Sequence, residues 1–355
     1  MIVASPAQHL ADRIRREGPI TVAEYMNVVT EAYYARGDVF GAAGDFITAP
    51  EISQTFGELI GLWCAVVWQG MGAPQPFCLV ECGPGRGTLM KDVLRAAGRV
   101  ANFDAAADIH LIERSPALRA IQRETLKGRA VTWHADIGSV PDGPMILVAN
   151  EFLDALPVHQ YEKTASGWME RYVGVGEDGS FAFTLKPAAV DAAPAAAPGA
   201  IFESSPAVRA FIQGAASRIA KSGGAALLID YGHTASACGE TLQAVKKHRP
   251  CGIFETPGEA DLTAHVDFAA VTAAARAGGV AVFGPIEQGT WLNRLGIKLR
   301  GLTLSNGQSP QIAGAVEAGI RRLIEPDAMG ALFKVIALLH PALATPDGFQ
   351  QDAGA

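Results

Sequence analysis

The sequence predicts an α/β fold with a mostly parallel sheet, and two observations support this prediction. First, an apolar run at Phe77–Val80 leads through a glycine-rich turn into a helix-compatible segment, which is the pattern of strand, tight turn and helix. Second, further apolar runs that end in polar or acidic residues alternate with helical segments along the chain. Because ligands bind at the carboxyl ends of parallel strands, we expect the chemistry along one edge of this sheet.

Composition and charge narrow the class of protein. The chain has 355 residues, 49% of them hydrophobic, which is enough for a sizeable core and typical of a soluble enzyme. Its formal net charge of −7 argues against a nucleic-acid binder, because nonspecific binding depends on Lys and Arg at phosphates. No secretory signal and no apolar run of about 18–20 residues is visible, so we expect a cytoplasmic protein without membrane insertion. Five cysteines without a C-x-x-C pair predict neither a disulfide framework nor a metal site.

Residues 1–76 are predicted to form a mostly helical N-terminal region. One helix of this region starts at Val22, with Thr21 as its N-cap. Residues 37–53 then form a glycine-punctuated loop rich in aromatic and acidic residues, Glu51 among them. Such a loop either lines a site or fills the core with its aromatic side chains.

The glycine-rich turn favours a cationic ligand. Its three glycines, Gly83, Gly85 and Gly87, follow a G-x-G-x-G spacing, whereas dinucleotide-binding folds use G-x-G-x-x-G. Glu81 stands immediately before them, where a carboxylate would oppose a pyrophosphate. S-adenosylmethionine carries a sulfonium and an ammonium and no phosphate, so it suits this loop better than NAD. The alternative is that the glycines merely make a strand-to-helix turn.

Residues 77–340 are predicted to contain the α/β core. A second strand ends at Glu113, a third at Asp136 and a fourth at Asn150 and Glu151. An acidic residue at the tip of the second strand commonly binds ribose hydroxyls. Polar residues at successive strand tips therefore predict one ligand site along this edge.

Two insertions and a tail complete the predicted organisation. Short alternating runs over about 158–200 predict a β insertion, and a second insertion covers about 233–264. A fifth strand between them ends at Asp230, and Phe333–Leu339 could complete a sheet of seven strands. Residues 341–355 are predicted to be a flexible tail.

Four motifs together resemble the MidA family of class I S-adenosylmethionine-dependent methyltransferases. These motifs are GDFITAPEIS at 44–53, GPGRGT at 83–88, ANEFLDALP at 149–157 and LIDYGH at 228–233. The resemblance implies a Rossmann-like seven-stranded sheet with an N-terminal helical region and β and loop insertions. Because the family includes a mitochondrial arginine methyltransferase of complex I assembly, it also implies a protein-arginine N-methyltransferase. Its substrate would be a respiratory NADH dehydrogenase subunit or an assembly intermediate.

The resemblance also implies which residues bind the cofactor. The glycine loop and the acid before it would contact the methionine part, Glu113 the ribose, and Asp136 with Ile137 the adenine. The candidate cofactor-binding residues are Glu81, Gly83, Gly85, Gly87, Glu113, Asp136, Ile137 and Asn150.

Carboxylates after the fourth strand are the candidates for acceptor binding. A guanidinium stays protonated and its lone pair is delocalised, so carboxylates are needed to hold it. Glu151 and Asp154, three residues apart, are predicted to hold the acceptor, and Glu51 to line the same cleft. His233 is the candidate base, since histidine titrates in the useful pH range. Alternatively, Asp154 caps a helix, Glu151 pairs with an arginine, and His233 is structural.

Three functions remain open from the sequence. A protein-arginine methyltransferase is favoured by the motifs, and a small-molecule methyltransferase is the runner-up. The third is a non-catalytic assembly factor that binds S-adenosylmethionine. A homodimer is compatible with all three.

Overall fold

The computed structural model describes residues 5–37, 48–190 and 193–350. The helices are α1 (Pro6–Glu17), α2 (Val22–Tyr34), α3 (Ala49–Ile52), α4 (Gln54–Gly70), α5 (Thr88–Ala97), α6 (Phe103–Ala106), α7 (Pro116–Thr125), α8 (Pro206–Ser222), α9 (Phe268–Ala277), α10 (Gln288–Arg294), α11 (Ile297–Ser305) and α12 (Pro310–Ile324). The strands are β1 (Ile20–Thr21), β2 (Phe77–Cys82), β3 (Ala107–Ile112), β4 (Val131–His134), β5 (Met145–Asn150), β6 (His159–Thr164), β7 (Gly167–Val175), β8 (Phe181–Pro187), β9 (Ile201–Ser204), β10 (Gly224–His233), β11 (Gln243–Lys246), β12 (Arg249–Cys251), β13 (Asp261–Thr263), β14 (Val266–Asp267), β15 (Ala281–Glu287) and β16 (Phe333–Leu339).

The central sheet confirms the predicted fold class. Its strand order is β15-β16-β10-β5-β2-β3-β4, with the short β14 paired to the end of β10. The five strands from β10 to β4 are parallel, whereas β16 runs antiparallel to both of its neighbours, β10 and the edge strand β15. The chain passes from β2 to β3 and β4 on one side and returns to β5 and β10 on the other. This reversal places the crevice for a ligand at the carboxyl ends of β2 and β5.

Helices cover both faces of the central sheet, as a parallel sheet requires. Helices α4, α5, α10, α11 and α12 contribute to the core on one face. Helices α8 and α9 pack against the other face. Strands β2 and β5 are buried along their whole length, which explains why the sequence shows them as continuous apolar runs. In the part of the chain that is described, no helix has both the length and the apolarity that a membrane crossing needs.

The N-terminal helices pack in two different places. Thr21 caps α2 as predicted, in a capping box with Glu24 that pairs each side chain with the other residue's backbone N–H. Helices α1 and α2 share a separate hydrophobic cluster with the two insertions, and α4 instead joins the main core. Residues 38–47 of the predicted site-lining loop lie outside the described residues.

Both predicted insertions are β structures. The first carries β6 to β9, which form a five-stranded sheet together with β1. The second carries β11, β12 and β13 in a separate sheet of three strands. Because α2 packs against both insertions, the helix and the two small sheets form one layer beside the crevice.

The structure packs part of the tail that the sequence predicts to be flexible. The Phe349 side chain is only 8% exposed, and its ring centroid lies 6.3 Å from that of the buried Trp291. The Gly348 carbonyl accepts a hydrogen bond from Arg294. Residues 351–355 lie outside the described residues. The apolar side chains of Phe349 and Leu343, which both pack against the main core, are the physical reason for this docking.

Replacing Phe349 with Ala tests whether the tail stabilises the fold. Loss of a buried aromatic ring is expected to lower the free energy of unfolding by about 3 kcal/mol. Urea denaturation of purified protein measures this change. Leu299→Ala is the control, because Leu299 is 70% exposed and its loss is expected to change stability by less than about 0.5 kcal/mol. Equal midpoints for the two variants would show that the tail contributes nothing.

Candidate functional site

A cavity of about 930 Å³ opens at the carboxyl ends of the parallel strands. Its walls come from the glycine loop, the ends of β3, β4, β5 and β10, helix α2 and the second insertion. Most of the predicted site residues meet here. The predicted residues that line the cavity are Glu51, Glu81, Gly83, Gly85, Glu113, Asp136, Ile137, Asn150, Glu151 and Asp154.

The glycine loop presents bare backbone to the cavity. Gly83 and Gly85 have φ values of 60° and 52°, in the left-handed region that favours glycine. A Cβ atom on Gly83 would stand 3.0 Å from the Phe152 ring. Gly87 does not line the cavity; its N–H donates to the Pro84 carbonyl, and it begins α5. Two of the three predicted glycines thus line the cavity, and the third shapes the turn.

Glu81 supplies a buried acceptor at the centre of the crevice. The residue is 3% exposed, and its Oε2 atom has no hydrogen-bond partner among the described residues. Burial raises the pKa of this carboxyl to about 8, against the lowering effect of the Met90 N–H. A buried carboxyl oxygen without a partner is costly for the protein alone. A ligand ammonium or sulfonium would satisfy it, which fits the cofactor that the sequence predicts.

The next two strand tips provide the other surfaces that an adenosyl group needs. The Glu113 carboxylate accepts hydrogen bonds from the Ser115 N–H at 2.8 Å and from Gln122 at 3.2 Å, which fix its orientation on the cavity wall. A carboxylate has further lone pairs for hydroxyl donors. Asp136 caps a short turn by accepting from the Ser139 N–H at 3.2 Å. Within that turn, the half-buried Ile137 offers apolar surface.

Asp230 organises the turn that carries the candidate acceptor residues. Its side chain is fully enclosed at 1% exposure. Its Oδ2 atom accepts three consecutive backbone N–H groups, from Phe152 at 3.1 Å, Leu153 at 2.9 Å and Asp154 at 3.2 Å. The sequence marked Asp230 only as a strand tip. The structure shows that its carboxylate holds the backbone after β5 in place.

Glu151 has a constrained backbone and a buried side chain. Its φ of 49° is rare for a residue with a side chain. Its Oε1 atom accepts from the Ala49 N–H at 2.9 Å and from the Asn150 amide at 3.1 Å. Burial raises the pKa of Glu151 to about 7, and the nearby charge of Asp154 adds to this rise. Among the described residues, no arginine forms an ion pair with Glu151.

Asp154 and Glu51 bring further carboxylates to the cavity. Asp154 is 6% exposed, and burial raises its pKa to about 6, although a hydrogen bond from the Tyr231 hydroxyl opposes the rise. Glu51 lies 3.8 Å from the Arg86 guanidinium, and burial raises its pKa as well. Four side chains that line the cavity each carry a buried oxygen with no hydrogen-bond partner in the described part of the chain: Glu51 Oε2, Glu81 Oε2, Asn150 Oδ1 and Asp154 Oδ1.

His233 is not brought to the cavity. Its Nε2 atom lies 3.9 Å from Asp267 Oδ2, at the start of α9, and the residue does not line the cavity wall. The prediction of His233 as the base therefore lacks the required geometry. The reason is that β10 continues past Asp230 and Tyr231 and carries His233 beyond the crevice.

Sequence reasoning missed one side of the cavity. Tyr34 on α2, and Asp261 and Thr263 on β13, line it without belonging to any motif. A polar residue inside a short strand of an insertion carries no signal that it faces a ligand. Across residues 5–37, 48–190 and 193–350, no group of His, Cys, Asp and Glu side chains is arranged to hold a metal ion.

Known proteins of similar sequence and structure were compared with the chain. Residues 59–286 match the model of a family described as S-adenosyl-L-methionine-dependent methyltransferases. The mouse protein arginine methyltransferase NDUFAF7, mitochondrial, is 38% identical over 94% of this chain and 84% of that protein. The human protein of the same name is 37% identical over 98% of this chain and 86% of that protein. A Burkholderia thailandensis protein crystallised with S-adenosyl-homocysteine superposes with a TM-score of 0.83 and 29% identity, over 97% of this chain and 93% of that one.

These comparisons confirm the resemblance on which the motif assignment rests. They also correct one prediction. The prediction of a cytoplasmic protein is wrong, because the mouse and human relatives are both named as mitochondrial. The absence of a visible secretory signal did not carry the information needed to assign a compartment.

Replacing Glu81 with Gln tests the electrostatic cost of the ligand-free site. The folded protein holds the Glu81 proton up to a pKa of about 8, whereas the ordinary value is 4.5. Between these pH values the unfolded chain has released a proton that the folded chain keeps, so stability falls as pH rises. One such group accounts for about 1.4 kcal/mol per pH unit.

Urea denaturation without ligand at about pH 5.5 and about pH 7.5 measures this dependence. Glu81→Gln is expected to lose less stability than wild type over that interval. Glu124→Gln, at an exposed position, is the control and should follow wild type. If Glu81→Gln kept the wild-type pH dependence, Glu81 would not be the group responsible.

Proposed function

The chain belongs to the family of S-adenosyl-L-methionine-dependent methyltransferases, and from this membership we propose that it methylates an arginine side chain of a protein. The predicted enzyme class and cofactor are confirmed by the family match and by the S-adenosyl-homocysteine in the structural relative. The names of the mouse and human relatives support the arginine acceptor. From the family resemblance, we propose a respiratory NADH dehydrogenase subunit or an assembly intermediate as that acceptor.

The observation that supports this proposal best is the set of partnerless oxygens in the cavity wall. Glu51 and Asp154, which are not assigned to the cofactor, each carry one, and Glu81 and Asn150 carry two more on the cofactor side. An acceptor guanidinium has five N–H donors and no acceptor, so it is the complement of such a wall. A neutral hydroxyl acceptor has one donor and would leave one of the Glu51 and Asp154 oxygens without a partner.

The cofactor residues and the acceptor residues divide along the strand tips. We assign Glu81, Gly83, Gly85 and Asn150 to the methionine end of the cofactor, and Glu113, Asp136 and Ile137 to its adenosyl end. When bound, the cofactor would supply a methyl group on a sulfonium, whose carbon is electrophilic towards the acceptor nitrogen and whose leaving group is the neutral thioether of S-adenosylhomocysteine. The protein contributes mainly by positioning the acceptor and by electrostatic stabilisation.

Glu151 and Asp154 would perform both tasks for the acceptor. Their carboxylates can hold the guanidinium and draw its positive charge away from the attacking nitrogen. That nitrogen gives up a proton when it is methylated. Burial raises the pKa of Glu151 to about 7 and that of Asp154 to about 6, so both pKa values lie close to neutral pH. Either carboxylate can therefore receive the proton near physiological pH.

Transfer of a radioactive methyl group from S-adenosylmethionine to protein arginine tests the proposal. Asp154→Asn is expected to reduce transfer by about 10- to 100-fold, since it removes a charged hydrogen-bond partner of the guanidinium. Cofactor affinity, measured by calorimetry, should change by less than about threefold because Asp154 is assigned to the acceptor. Glu259→Gln, which alters an exposed ion pair with Lys246, serves as the control and should behave as wild type.

The same assay separates the other candidate functions. Label in small molecules but not in protein would identify a small-molecule methyltransferase. Cofactor binding without any transfer would identify a non-catalytic binding protein. Label on lysine or histidine, read after acid hydrolysis, would reject arginine as the acceptor.

A further inference from the structure

The second insertion contributes a wall to the same cavity that receives the strand tips. Strand β13 pairs with β11 in a register that sets Asp261 opposite Val245 and Thr263 opposite Gln243. All four of these residues line the cavity. Side chains at alternate positions of a strand share one face, so this face of the small sheet is directed at the ligand space.

Asp261 lies close to the carboxylates already assigned to the acceptor. The Tyr34 hydroxyl donates to Asp261 Oδ1 at 3.2 Å. Burial raises the pKa of Tyr34, and the negative charges of Asp261 and Asp154 add to this rise, so the phenol lies within the influence of both carboxylates. Tyr34 therefore connects the wall formed by the second insertion with the turn after β5.

A second tyrosine makes the same connection. The Tyr231 and Thr263 hydroxyls are 2.6 Å apart, and the Tyr231 hydroxyl also bonds the Asp154 carboxylate. Asp261 and Asp154 are thus each held by a tyrosine that lines the cavity. Asp154 keeps one oxygen, Oδ1, without a partner in the described part of the chain, although the residue is more than nine-tenths buried.

We propose that Asp261 is an acceptor-binding residue, which together with Asp154 holds the guanidinium of the substrate arginine between Tyr34 and Tyr231. This inference rests on the proposed arginine acceptor and extends it to a part of the chain outside the four motifs. A carboxylate has about four lone-pair sites, so one that accepts from a tyrosine hydroxyl can also accept from the N–H groups of a guanidinium. The tyrosine rings add faces on which a planar cation can rest.

The assignment makes the second insertion a determinant of acceptor specificity. The cofactor residues lie at the tips of β2 to β5, whereas Asp261 and Tyr34 come from the second insertion and α2. A change at Asp261 should therefore alter discrimination among acceptors and leave cofactor binding in place.

Ligand-observed saturation-transfer NMR on protein saturated with S-adenosylhomocysteine tests this inference. The probes are N-acetyl-arginine amide and its neutral isostere, N-acetyl-citrulline amide. Wild type is expected to bind the arginine probe more tightly than the citrulline probe. Asp261→Asn is expected to weaken the arginine probe by about tenfold and to reduce that preference, with the affinity for S-adenosylhomocysteine unchanged.

Two further variants serve as a control and as an alternative test. Asp267→Asn is the matched control, because Asp267 follows the same insertion but caps α9 outside the cavity wall. Tyr34→Phe removes only the hydroxyl that orients Asp261 and is expected to weaken the arginine probe by a smaller factor. It serves as the test if Asp261→Asn does not fold.

The outcomes distinguish this inference from the function on which it rests. Equal preference for arginine over citrulline in wild type and Asp261→Asn would overturn the role of Asp261 and leave the arginine acceptor standing. A wild-type protein that does not distinguish the two probes would overturn both. A parallel loss of cofactor affinity in Asp261→Asn would show that Asp261 supports the fold and does not bind the acceptor.

Discussion

The hydrogen bonds from three consecutive backbone N–H groups to the Asp230 carboxylate hold the site together. They fix the turn from Phe152 to Asp154 immediately after β5. The same turn starts with the left-handed backbone of Glu151, a conformation that needs support from its surroundings. Because Asp230 stands on the neighbouring strand β10, the sheet itself determines where the carboxylates of Glu151 and Asp154 lie. The chemistry thus depends on a buried carboxylate that does not line the cavity.

The cavity wall carries electrostatic strain that a cationic ligand would relieve. Burial raises the pKa values of Glu51, Glu81, Glu151 and Asp154. Each group is therefore less stable as an anion here than in water. The positive charges of a sulfonium cofactor and of a guanidinium would reverse that effect. Binding energy for a cationic ligand and loss of fold stability in the free protein have the same origin, the concentration of buried carboxyl groups around this cavity.

The parts of the fold and the site that could be predicted are those encoded in contiguous sequence. The glycine loop, the acids at the strand tips and the Thr21 cap are local signals, and each lies where the sequence indicated. Asp261 and Tyr34 could not be predicted, because their contact joins residues 227 apart, one of them in a short strand of an insertion. His233 lies outside the cavity wall for a related reason: adjacency to a strand tip did not show where β10 would carry the side chain. The docking of Phe349 depends on a pocket beside Trp291 that no local pattern shows.

The order in which the elements meet also has a consequence for synthesis of the chain. The Tyr25 hydroxyl of α2 donates to the Ile253 carbonyl, 228 residues later, and β1 pairs with β7. At about 5–20 residues per second, the ribosome needs on the order of ten seconds or more to deliver the partner of Tyr25. Until then, the apolar side chains Met26, Val29 and Tyr33, buried in the finished protein, lack their final cover. The N-terminal helices therefore expose apolar surface to chaperones and to aggregation while the rest of the chain is synthesised.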